Sequence, residues 1–454
     1  MEPDNGLVFV NVAHPDEIHA KDTQRTIRKR VMRDIGRSRR RQKRPPALTF
    51  AWQPTSISPT LSLESSSLPV ELDPRARELI HFMHAEADYQ YRPFRTVWFT
   101  MSLHDHSAFR LALANAAMFL DEKHHPQTFR YDHCHEALKY YGQCVRQITD
   151  RLADPTDCTS EGVVTTILGL ICHDLYVGTW DRWAYHIRGL ERIFQIRGGF
   201  HGLNGNLHLF AYWFDVMGSV LQDSPPRLSG YPSPSSFPNK WRSAPFKSIL
   251  SELYVHSEDL ALAINRIAAV SDFVNAYCRR PRFWTQEDDL SPLSMLSPAT
   301  HILLSLSRFD AADNSNCFEF VHEMTRLALL ILLAGLKSAY ALAAAEMGLL
   351  QSKLSRLLRG DVTDNSSFIL PGLQVWSLVT AALLQTPGPE RSLYVQEISR
   401  RMSAIHLADG SATIDFSRQI VWIEILGQPD TIKSLISEID TAHSTRTKYR
   451  TPSP

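Results

Sequence analysis

The chain has 454 residues, 44% of them hydrophobic and 21% charged, with 48 basic and 48 acidic side chains. That length suffices for one large core or two smaller ones, and the apolar fraction is ordinary for a soluble globular protein. Neutrality conceals a segregation: residues 1–50 hold 12 bases and 6 acids, leaving 36 and 42 in the other 404, and a basic arm on an acidic body points to a polyanionic partner.

At the N-terminus, Leu7–Val12 is one short apolar run ending at His14-Pro15. It reads as a single strand or a docking peptide. It is too short for the core of a secretory leader, and acids rather than bases precede it, so no leader is expected. Lys21–Arg44 then carries twelve bases against Asp22 and Asp34. Asp22 or Thr23 can cap a helix there, with Ile27, Val31 and Ile35 as a narrow apolar stripe, Gly36 as a weak point and Pro45-Pro46 as its end. The cations Arg25, Arg28, Lys29, Arg30, Arg33, Arg37, Arg39, Arg40, Arg41, Lys43 and Arg44 are the candidate site residues. Those from Arg37 to Arg44 have the density of a nuclear import signal, and the set as a whole suits contact with DNA phosphates. A basic-zipper reading fails because residues 45–72, rich in Pro, Ser and Thr, form a linker where a leucine heptad would have to follow.

From Asp73-Pro74 the period becomes helical, and the expected fold class is all-α: residues 73–442 form the helical body, and 443–454 a polar, disordered tail. Tyr131, Cys134, Leu138, Tyr141, Val145, Ile148 and Leu152 make an apolar seam that stops at Asp154-Pro155. Ser160–Tyr176 is apolar almost all round, predicting a central helix. Asp181 is expected to cap a third helix with Trp183, Ile187, Leu190 and Phe194 inward, and Gly198-Gly199 is a C-cap signature. Short loops between these three predict antiparallel neighbours packed in pairs. Asp223–Ala244 and Arg279–Pro298 read as loops. Phe318–Ala345, Leu373–Leu384, Leu393–Ile405 and Thr431–Ala442 read as further helices. Leu327–Leu336 is about half the ~20 residues a membrane span needs, so a buried core helix, and no membrane association, is expected.

Catalytic signatures are missing. There is no G-x-S-x-G, no phosphate-binding G-x-x-x-x-G-K-[ST] and no H-E-x-x-H. The glycines at 198, 199, 202 and 205 follow a helix rather than a strand, the wrong context for a nucleotide loop. Of the paired histidines, His133 and His135 diverge by about 200° on a helix, so no metal site is expected from them, and no cofactor from the rest. Six widely spaced cysteines read as reduced thiols, and none are two residues apart as a local zinc cluster requires.

The block Trp180-Asp-Arg-Trp183-Ala-Tyr-His186-Ile-Arg-Gly189-Leu190, continuing through Ile193 to Arg197-Gly198-Gly199, resembles the W-x-x-H-x-x-G-L pattern of the regulatory domain of fungal-specific transcription factors. Ala137–Leu152, Trp213-Phe-Asp215-Val-Met-Gly218 with Pro225-Pro226, Glu323-Met-Thr-Arg326 and Val375-Trp376-Ser-Leu378 agree with it in order, over roughly 73–440. Phe9-Val-Asn-Val-Ala-His14-Pro15, Thr23-Gln24 and Val31-Met32-x-Asp34-Ile35-Gly36 look like the opening of a subgroup that lacks the N-terminal zinc cluster. The resemblance implies a nuclear, pathway-specific regulator, as of secondary metabolism, with DNA, an import receptor, other transcription regulators and a small-molecule effector as its partners. The alternative is a helical coregulator acting only through protein contacts; an enzyme is the third reading. Trp180, Trp183, Leu190 and Phe194 are expected to glue helices together, His186 to be packed or hydrogen-bonded, and Arg197 to meet unpaired carbonyls at the helix end.

Overall fold

The computed structural model describes residues 73–85, 92–229, 243–279, 290–309, 317–340, 342, 344–360 and 369–450. The basic arm and the linker, residues 1–72, lie outside them. Among the described residues there are sixteen α-helices and no strand, an all-α fold.

The first seven helices are α1 (Pro74–Ala85), α2 (Arg92–Ser102), α3 (His106–His124), α4 (His135–Leu152), α5 (Glu161–Val177), α6 (Trp180–Arg197) and α7 (Gly205–Gln222). The next are α8 (Ala244–His256), α9 (Glu258–Tyr277), α10 (Ser291–Ser305), α11 (Cys317–Ala339) and α12 (Met347–Arg359). Last come α13 (Pro371–Leu383), α14 (Pro389–Met402), α15 (Gly410–Arg418) and α16 (Pro429–Arg450).

Two helices organise the packing. Helix α5 touches α2, α3, α6 and α7, and α11 touches α9, α10, α12 and α13. Helices α7 and α10 pack together and join the two groups. The sequence of α5 explains its place: Val163–Ile171 is buried without a break, so it has no solvent face. Ser160 caps its first turn by accepting from the Val163 amide, and Gly178, in the left-handed region at φ 77°, ends it. Leu327–Leu336 is buried throughout in α11, as a core helix should be, and none of the described helices is long and apolar enough to cross a membrane.

Several sequence expectations are corrected. Of the expected seam, Cys134 and Ile148 are buried, but in between the inward stripe of α4 runs through Ala137, Tyr140 and Cys144, one position before Leu138, Tyr141 and Val145; these three are half-buried at its edge and Leu152 is exposed. That helix packs chiefly on α3 rather than on α5, while α5 and α6 do pack across a two-residue turn. Asp181 is not the cap of α6: Thr179 precedes the helix, and Asp181 sits in its first turn, where an acid favours the free amides.

Ser291–Ser305 is helical, and its first part, up to Pro298, falls in the segment read as a loop. Pro292 occupies the first turn, where its missing N–H costs nothing, and Pro298 is accommodated inside the helix because packing on α7, α9 and α11 buries Leu293, Leu296 and Leu303. Helix α16 continues through 443–450, so most of the expected tail is helical. The segment's polar composition hid this, since a polar stretch carries little periodic signal.

Candidate functional site

The most specific sequence block lies on α6, and its side chains divide by direction. Trp183, Ile187, Leu190 and Phe194 all turn inward, as expected. The Trp183 indole Nε1–H points at the carbonyl of Phe214 on α7, 3.4 Å away, and Trp183 is 2% exposed. Trp180 differs from the expectation. At 38% exposure it lies at the rim, and the gluing falls to Trp183.

On the other side of α6 the polar residues of the block converge on Asp174 of α5. The Asp174 side chain is fully buried; it accepts from Thr179 Oγ1 at 3.0 Å and from His186 Nδ1–H at 2.7 Å, and it is ion-paired with Arg182 Nη2 at 2.9 Å, while the Arg182 guanidinium donates to Thr179 Oγ1. Its own backbone carbonyl takes the amides of Gly178 and Thr179. One carboxylate therefore closes the α5–α6 turn and aims two α6 side chains. Arg182 also lies over the Tyr141 ring, 5.1 Å from its centroid, tying α4 to the same point. His186 is hydrogen-bonded, as expected of it.

Beneath this lies a second polar chain. His173 of α5 is bonded through Nδ1 to Asn115 Oδ1 at 2.6 Å and through Nε2 to Tyr131 OH at 2.7 Å, and Tyr141 stacks on its ring. Burial pushes the His173 pKa down to about 4, and burial likewise raises that of Tyr141. Both groups are uncharged at neutral pH.

Above them, Tyr141, Val145, Asp181, Arg182, Tyr185 and His186 line a surface groove of about 400 Å³. Tyr185 is 70% exposed at its edge. Two aromatic walls, a held guanidinium and a held imidazole form a receptive surface with its polar groups already oriented. It has no nucleophile beside a base. Arg197, at the end of the block, donates to the carbonyls of Thr159 and His201, so the carbonyls it meets belong to neighbouring loops and not to the end of its own helix.

A second polar assembly sits where α7 ends. Asp223 adopts the left-handed conformation, φ 47° and ψ 51°, which aspartate tolerates better than most residues. Its carboxylate takes Arg326 Nη1 at 2.9 Å, Lys353 Nζ at 2.6 Å and Arg308 Nε at 3.2 Å, and its carbonyl takes Arg308 Nε at 2.7 Å. Arg326 has no exposed side-chain surface and is held from the other side by Glu323 at 2.6 and 2.8 Å. Burial raises the Asp223 pKa, but Arg326 and then Lys353 outweigh it and hold the carboxyl well below the usual range.

About two turns earlier, Asp215 accepts the Arg227 and Leu228 amides at 2.9 and 2.8 Å, which folds the chain back across α7; burial lifts its pKa to about 6 against those bonds. Nearby, the buried Lys337 pairs with Glu346 Oε1 at 2.6 Å and lies 5.6 Å from the Trp213 ring centroid.

These assemblies gather Asp174, Arg182, His186, Asp215, Asp223 and Arg326. Arg182, His186, Asp215, Asp223 and Arg326 fall in or beside the blocks that carry the resemblance, whereas Asp174 and the other two Asp223 partners, Arg308 and Lys353, do not, and no sequence pattern records these pairings. The eleven arm cations lie outside the described residues. Among the described residues no group of three or more His, Cys, Asp or Glu side chains is placed to hold a metal ion, and the six cysteines are free thiols. His125 bonds to Asp121, and His133 is mostly exposed.

Comparison with known proteins agrees with the block that carries the buried motif. A family model described as a fungal specific transcription factor domain matches residues 81–421, most of the helical body. Neither the curated proteins nor the solved structures yield a match.

Proposed function

Because this chain belongs to the fungal-specific transcription factor domain family, whose members are transcription regulators rather than enzymes, we propose that it is a pathway-specific nuclear regulator with a DNA-contacting arm. The arm from Arg25 to Arg44 directs import and lies along phosphates. The helical body receives a partner protein or a small effector. The family match across 81–421 carries the regulatory reading, and the concentration of bases before residue 45 supports the role of the arm. The groove over Asp174 supports the receptor role, since Arg182 and His186 are held in place along its wall by Asp174.

The arm has no cysteine framework, so base-specific reading is left to a partner, and affinity comes from phosphate neutralisation. Full-length protein and a chain lacking residues 1–50 are titrated onto random and promoter duplexes at two salt concentrations. With about five phosphates neutralised, log K falls against log salt with a slope near −4.5 for the full chain, and binding is lost without the arm. Negligible binding by both favours the second reading, a coregulator acting through protein contacts.

A further inference from the structure

The turn after α7 reads Asp223-Ser224-Pro225-Pro226-Arg227. Its two ends are anchored: the Ser224 amide donates to the Ser219 carbonyl at 2.9 Å, and the Arg227 amide to Asp215. Between the anchors the two prolines have no N–H to give, so no backbone donor ties this stretch to the body. Pro225 and Arg227 are exposed and Ser224 is half-buried. The Ser224 hydroxyl has no hydrogen-bond partner among the described residues. Of the Ser-Pro and Thr-Pro steps up to Thr451, this alone has a base three residues after the acceptor.

We propose that Ser224 is the acceptor for a proline-directed protein kinase, and that the cations gathered around Asp223 receive its phosphate. Pro225 supplies the proline that such kinases require after the acceptor, and Arg227 offers a cation to an acidic patch on the kinase. In the transfer, Ser224 Oγ attacks the γ-phosphorus of ATP. The new Oγ–P bond forms as the bond to the β,γ-bridging oxygen breaks, ADP leaves with the electron pair, and the hydroxyl proton passes to the kinase's base.

The product phosphate carries close to two negative charges at neutral pH and three acceptor oxygens. Bound at Asp223, the residue before the acceptor, are Arg308, Arg326 and Lys353, and Glu323 pairs with Arg326, so the node holds three cations to two anions. Arg308 Nε already bonds the carbonyl of the peptide that links Asp223 to Ser224, so its guanidinium lies beside the acceptor. Lys353 is 27% exposed and donates to a single carboxylate oxygen, leaving its other N–H groups for a phosphate. Modification thus fastens α12 more firmly to the end of α7.

The test uses the full chain, ATP and a cyclin-dependent kinase whose activity is confirmed on a Ser-Pro-x-Arg peptide, with sites mapped by mass spectrometry. Phosphate is expected at Ser224, absent from it in Ser224→Ala, and incorporated roughly tenfold more slowly in Arg227→Ala, the effect of one lost charge contact. The phosphorylated wild type is expected to melt about 2 °C higher than the unmodified protein. Lys353→Gln, altered at a partly exposed position, should take the phosphate without that rise. Absence of phosphate from Ser224 overturns the acceptor. An unchanged or lowered melting temperature in the wild type, or an equal rise in Lys353→Gln, overturns the role of the cations.

Discussion

Trp183 and Gly218 are fitted to one another: a Cβ at position 218 would lie 2.0 Å from Trp183 Cε2 and 2.1 Å from Cζ2. The indole of α6 rests directly on the backbone of α7, and only glycine leaves room for it. Two parts of the sequence pattern, separated by 35 positions, are therefore halves of one contact.

Replacing Gly218 with alanine should force that indole off its seat. The gain in helix propensity, about 1 kcal/mol, is smaller than the overpacking cost of roughly 3 kcal/mol. Trp183→Ala should cost roughly 3–5 kcal/mol by leaving a cavity. Denaturant unfolding followed by circular dichroism measures both. Because the residues touch, Gly218→Ala should cost much less in a Trp183→Ala background. Additive losses would mean that the two do not share a contact.

The Asp223 node should respond unequally to the loss of its members. Asp223→Ala strips a partner from the fully buried Arg326 and should destabilise by about 3–5 kcal/mol. Lys353→Met removes a partly exposed partner and should cost under about 1 kcal/mol. Thermal melts of the two variants decide this, and similar losses would show that the node is held from its surface.

Stability should rise with pH between about 4 and 6.5. His173 and His322 are both pushed down to about 4 by burial, from an ordinary value of 6.5. In that window the unfolded chain binds more protons than the native one, so lowering the pH through it favours unfolding. Asp215 opposes this. Its pKa is raised to about 6, so between about 4 and 6 the native state holds the extra proton. Two histidines against one aspartate leave a net rise. Asp223, held low, adds a loss only as the pH falls below the ordinary carboxylate range. His322→Leu should flatten the profile of unfolding free energy against pH, and an unaltered slope would exclude His322 as a contributor.

Import through the arm is testable in cells. Arg37–Arg44 concentrates six bases in eight residues, and replacing Arg39, Arg40 and Arg41 with alanine should leave a fluorescently tagged protein largely cytoplasmic. Undiminished nuclear accumulation would assign import to another segment.

What the sequence by itself determined here is local. The spacing of Trp183, Ile187, Leu190 and Phe194 marks the buried face of α6, because a helix repeats every 3.6 residues whatever surrounds it. Gly198 and Gly199 mark its end, with φ of 74° and 111°, because a left-handed cap is a property of the backbone at that point. The tertiary structure alone decided the pairings. Asp223 meets Arg308, Arg326 and Lys353 across 85, 103 and 130 positions, and no periodicity records which distant charge a carboxylate will find. It also decided that Tyr141 edges a groove while Tyr140 is buried, a difference set by the helix packed on that side and not by either residue. Pro298 shows the same priority, since burial on several neighbouring helices outweighs the local preference against proline inside a helix.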